Sequence, residues 1–197
     1  MLAAGTCRLQ AAPCAERISD LAAQALPASR PGRAAEAEYD FGKLSGCLRS
    51  EHDERRVLVL ALGEYAPPLE IRLTSKASGE AVLPAEVDVV SHAGERLAHY
   101  PFETFRKRGA DYSATLFINA PEAREGYIVV RASAADLGRT SRLVAGKRVT
   151  NLVVTPQSFG LYADGTERHS ETPFAEAGVV EVRIEPATAR SVPAPPR

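Results

Sequence analysis

The sequence predicts an all-β fold, an antiparallel β-sandwich of jelly-roll-like type with one short N-terminal helix; a closed β-barrel is the alternative. Three observations carry this. Between residues 37 and 186 the apolar residues recur mainly at every second position, as in half-buried strands. The runs are short and separated by Gly, Pro, Asn and Asp. No segment in that span carries the strand–helix–strand alternation of a parallel sheet.

Residues 1–36 are rich in Ala and Pro. Ile18, Leu21, Ala22 and Ala25 fall at helical spacing, so a short helix is expected within 15–26, ended by Pro27, Pro31 and Gly32. An irregular linker then leads to the sandwich, 37–186. Val57–Leu62 is a continuous apolar run and reads as a strand buried on both faces. After Pro67-Pro68, Leu69, Ile71 and Leu73 alternate with Glu70, Arg72 and Thr74. Residues 86–102 read as a hairpin turning at Ala93-Gly94. Tyr112–Ile118 alternates, and Tyr127–Val130 is β-branched. Asp136-Leu137-Gly138 is a loop or a single helical turn. Val149–Val154 is a strand, and Phe159–Ala163 is expected to pair across an Asp164-Gly165 turn. Val180, Val182 and Ile184 form the last amphipathic strand. The Pro-rich tail, 187–197, is expected to be disordered.

Composition removes several function classes. A formal net charge of -1 gives no overall field for nucleic acid or anionic lipid. No apolar run approaches the roughly 18–20 residues of a membrane-spanning helix. Met1–Gln10 lacks a charged start followed by an apolar stretch, so either the chain is cytosolic or a secretory signal has been removed. The three cysteines, Cys7, Cys14 and Cys47, form no Cys-x-x-Cys pair, which argues against a zinc ribbon. A Cys14–Cys47 disulfide would tie the weakly packed N-terminal segment to the domain, closing a loop worth roughly 3.5–4 kcal/mol. Cys7 would be left over, free or lipidated; three free thiols are the alternative.

Catalytic signatures are absent from the sequence. There is no Gly-x-Ser-x-Gly elbow, Walker loop or Gly-x-Gly-x-x-Gly after a strand. His92 and His99 flank the hairpin turn and Asp88 could join them, but strand alternation does not place both rings on one face, so no metal site is assigned and no cofactor is implied. His52-Asp53-Glu54 reads as a solvated charged turn. Ser91-His92 and His169-Ser170 are strand neighbours that point to opposite faces, unlike a catalytic pair. Without tryptophan, a sugar-stacking platform would have to use Tyr65, Tyr162 or the Tyr100, Phe102 and Phe105 group. The candidate ligand site is therefore Asp88, Arg96, His99, Tyr100, Phe102 and Phe105. Arg106, Lys107 and Arg108 are a candidate partner patch, or a plain solvated loop.

Three stretches together resemble a known family: Cys14-Ala-Glu-Arg-Ile18-Ser-Asp-Leu21 with Leu26-Pro27; Val82-Leu83-Pro84 through Val87-Asp88-Val89-Val90 into Tyr100; and Tyr127–Ser133 with Asp136–Thr140. Gly178–Val182 closes the pattern. The chain resembles the maltose operon periplasmic protein family. The resemblance implies an exported protein of the Gram-negative periplasm, linked to maltose or maltodextrin uptake through operon context and carrying no catalytic residues to transfer. It favours the oxidising reading of Cys14 and Cys47. The expectation is a non-enzymatic periplasmic protein that assists carbohydrate uptake by binding an oligosaccharide or an envelope protein. A structural adaptor at the outer membrane, with a protein partner and no sugar ligand, is the alternative.

Overall fold

The computed structural model describes residues 14–26, 34–44, 46–50, 53–63, 68–77, 81–119, 125–155 and 158–186. Among the described residues thirteen strands are present: β1 (Gln24–Ala25), β2 (Ala35–Asp40), β3 (Cys47–Ser50), β4 (Asp53–Ala61), β5 (Leu69–Lys76), β6 (Ala85–Ser91), β7 (Arg96–Tyr100), β8 (Arg106–Arg108), β9 (Asp111–Ile118), β10 (Glu125–Ala132), β11 (Thr140–Thr155), β12 (Ser158–Pro173) and β13 (Val179–Pro186). One sheet runs β1-β4-β10-β6-β7, with β3 also on β4; the other runs β2-β13-β5-β9-β8. The two sheets make a sandwich-like fold with open edges, and no barrel closes. Strands β11 and β12 form a separate two-stranded ribbon.

Alternation explains the packing. Leu58, Leu60, Val87, Ile128 and Val130 from the first sheet meet Ile71, Leu73, Leu116, Val180 and Val182 from the second in one core. Burying such side chains gives about 1.5–3 kcal/mol each before conformational entropy is subtracted. Val57–Leu62 is buried on both faces, as its unbroken apolar run requires. Leu58 and Leu60 enter the main core, while Val57 and Val59 form a second apolar face with Val90 and Val129.

That second face explains the N-terminal segment. The expected helix is absent: the segment holds only a 3-10 turn at Ile18–Asp20 and the two-residue strand β1. A short helix gains little by itself. Residues 14–26 instead form a strap across the outside of the first sheet. Ile18 and Leu21, three residues apart, both turn onto the valine face, together with Leu48. A Cys14–Cys47 disulfide anchors the strap's start, with Cα atoms 4.6 Å apart. Ala15 bridges Leu48, and β1 pairs in parallel with Leu60 and Ala61.

Two further expectations need correction. Asp164-Gly165 is not a turn; these residues lie inside β12, opposite Val149 and Arg148, and the ribbon turns after Thr155. Arg106–Arg108 is not a loop but the exposed edge strand β8, paired with β9. At the opposite edge of the second sheet, Lys76 clasps Glu181 and Glu38, tying β5, β13 and β2 together. These two carboxylates hold its ammonium above the usual lysine range of 10.5. The clasp is therefore intact below that range and weakens only as pH rises through the higher folded value. The expected tail, 187–197, lies outside the described residues, as do Cys7, His52 and Tyr65.

Candidate functional site

The β6–β7 hairpin sorts its side chains by strand parity. Asp88 and His99 are direct cross-strand partners, and His99 Nδ1 lies 2.7 Å from Asp88 Oδ1. Arg131 on β10 donates to Asp88 Oδ2 at 2.9 Å and to Glu86 Oε1 at 2.5 Å. Asp88 is buried and Arg131 half-buried. Burial works against the guanidinium charge, yet Glu86 and Asp88 outweigh it and hold Arg131 above its ordinary value. The sequence placed Asp88 beside His99; Arg131 was missed because it comes from a distant strand.

This network resembles an orienting carboxylate on a histidine, but among the described residues no hydroxyl or thiol is hydrogen-bonded to the ring, as a nucleophile–base pair requires. Its evident work is electrostatic. Asp88→Ala should leave Arg131 and His99 short of a partner and cost about 1–3 kcal/mol in urea unfolding, with Asp88→Asn costing less. An unchanged unfolding midpoint would show that the network contributes nothing to stability.

The other candidates separate from this network. Arg96 is exposed, near the start of β7. His92 sits in the turn and packs edge-on to Tyr127, with ring centroids 6.1 Å apart, so the two histidines do not converge on Asp88. Tyr100, paired with Val87, faces the main core and is half-buried; burial, then the Glu125 charge, raises its hydroxyl pKa. Phe102 opens a 3-10 turn rather than continuing the strand, and Phe102 and Phe105 are buried at 8% and 6% exposure. The Tyr100, Phe102 and Phe105 group is therefore packed on or in the core, while the side chain of Tyr162 lies outside the described residues.

These rings perform a different task. Phe102, Phe105, Tyr112 and Phe174 pack with centroids 5.0–6.0 Å apart. They form the root of the ribbon. Phe174 immediately follows β12; its N–H donates to Arg139 O at 2.8 Å, while Gly138 N–H donates back to Phe174 O. The Tyr112 hydroxyl and buried Ser141, near the start of β11, are 2.8 Å apart. Lys107, from the basic patch, donates to Ser141 Oγ at 3.0 Å and to Arg142 O, and sits 5.7 Å from the Tyr112 ring centroid. All three residues of the patch are exposed, and its middle one, Lys107, also reaches the start of the ribbon.

Among the described residues, Cys14, Cys47 and Glu54 are the group that most resembles a metal site, with ligand atoms within 4.8 Å of one another. The two sulfurs are bonded together, which removes the thiolates a metal needs. Glu54 is also paired with Arg49 at 2.7 Å.

Comparison of the chain with protein-family models, curated proteins and solved structures gives no match.

Proposed function

We propose that this chain is a non-enzymatic binding protein of an oxidising envelope compartment, and that it assists carbohydrate uptake by docking an envelope protein through the β11–β12 ribbon. The observation that carries this reading is the ribbon itself. Each strand has 16 residues, which at roughly 3.3 Å per residue gives an arm about 50 Å long. A two-stranded ribbon is marginal in water, and among the described residues no third strand pairs with either of its edges. Natural edges are usually protected by charge. Residues 149–163 contain no Asp, Glu, Lys, Arg or His, in a chain that is 25% charged. By register Leu152 opposes Leu161 and Val154 opposes Phe159. An uncharged ribbon end of this kind suits an uncharged strand edge on a partner, added as a further strand.

The carbohydrate link rests on the family resemblance, and the periplasmic location on that resemblance and the disulfide. The test replaces residues 147–166 by a two-residue Asn-Gly turn joining Gly146 to Glu167, which are directly paired. The shortened protein should keep its melting temperature within about 3 °C, because the removed part belongs to the separate ribbon and to neither main sheet. It should fail to restore labelled maltodextrin uptake in cells lacking the native protein. Full restoration would defeat the reading. A photoreactive residue at 152 or 161 that crosslinks to a discrete protein, with uptake unaffected, would favour the adaptor with no carbohydrate role.

A further inference from the structure

We propose that the cavity between the N-terminal strap and the β6–β7 turn binds a small uncharged ring compound bearing hydroxyls, of the size of one or two sugar units. The cavity measures about 380 Å³, within the range of small-molecule sites. Its walls come from four places distant in sequence. The strap supplies Glu16, Arg17 and Ile18, the hairpin turn supplies His92, and β3 and β10 supply Leu48 and Tyr127. Ile18 and Leu48, which line the cavity, also pack with Leu21 on the valine face beneath the strap.

The lining dictates the ligand class. Tyr127 and His92 contribute aromatic rings to the lining, and Ile18 and Leu48 add aliphatic surface, so one side of the ligand must be apolar. Glu16 accepts hydrogen bonds and Arg17 donates them, matching hydroxyls, which do both. Their charges cancel, so neither a strong anion nor a cation gains net attraction. The backbone is shaped to the arrangement. Gly126 sits at a register shift between β10 and β6, and a Cβ there would approach His92 N and Nδ1 to 2.8 Å. Glycine thereby lets His92 lie against β10 beside Tyr127. The disulfide fixes the strap end at Cys14, two residues before Glu16.

Among the described residues no ribbon residue lines the site, and it shares with the proposed function only the link to carbohydrate. Saturation-transfer NMR on the full oxidised chain, with maltose, cellobiose and trehalose each at about 10 mM, tests it directly. At least one disaccharide should receive saturation. Arg17→Ala and His92→Ala, both at exposed positions, should each weaken its binding about fivefold or more with the melting temperature unchanged. Tyr127→Phe, which keeps the ring, should retain binding. No transfer to any of the three sugars, or transfer indifferent to both substitutions, overturns the proposal. The chain with the shortened ribbon should bind as well as the intact one, so failure here and failure of the ribbon reading are separate results.

Discussion

Replacing both Cys14 and Cys47 by Ser should lower the melting temperature by about 7–15 °C. The bridge joins residues 33 apart, so its loss returns loop entropy worth about 3.5–4 kcal/mol to the unfolded chain, and each kcal/mol moves the midpoint by about 2–4 °C at this chain length. The folded state changes as well. Without the bridge the strap is held by the Ala15–Leu48 bridge, the two-residue β1 and contacts from Ile18 and Leu21. Its opening would expose Val57, Val59, Val90 and Val129. The double variant should therefore bind a hydrophobic dye such as ANS below its melting temperature. Amide exchange should also accelerate at Ala15, Arg49 and Leu26, whose N–H groups donate across the strap's junctions with β3 and β4. A melting temperature within about 2 °C of the wild type, with no change in exchange, would mean that the strap is held by packing alone.

The strap also shows where sequence reading loses its grip. Ile18 and Leu21 have helical spacing, and spacing alone does not distinguish a helix from an extended segment that turns two residues onto the same surface. What decides is the valine face, made by β4, β6 and β10 together. Strands of the sandwich were legible because alternation is local: β5, β9 and β13 bury every second residue, and β4 is apolar throughout its buried run. The edge strand β8 is all charge and shows no alternation, since all three of its residues are exposed. The ribbon was seen only as fragments. Asp-Gly is a strong turn signal when flanking strands need a turn, but here the β11 register carries through it and leaves Gly165 opposite Arg148. The candidate site followed the same division. Asp88 and His99 were legible as hairpin neighbours, whereas Arg131 reaches Glu86 across 45 residues of sequence. The strap cavity gathers four distant segments and has no sequence signature.

Phe102→Ala should cost about 3–5 kcal/mol of folding stability, the usual range for deleting a buried aromatic side chain. Phe102 is 8% exposed and touches three rings: Phe105, Tyr112 and Phe174, at 6.0, 5.0 and 5.1 Å between centroids. The surrounding backbone is fixed by strand pairing at Tyr112 and by the Val82–Phe174 bridge, so the cavity left behind cannot collapse fully. The effect should also reach the ribbon. Tyr112 and Phe174 position its first residues through Ser141 and Arg139, and both lose a packing neighbour when Phe102 is truncated. Amide exchange at Phe174 and Gly138 should rise more than at Ile128 in the sandwich core, once the global loss of stability is subtracted. Phe102→Leu, which refills most of the volume, should recover more than half of the stability and quiet the root. If the protein instead used Phe102 as an exposed sugar platform, Phe102→Ala would leave the urea midpoint in place and abolish saccharide binding. Urea unfolding of the two variants beside a saccharide titration decides between these outcomes, and the buried position of the ring predicts the first.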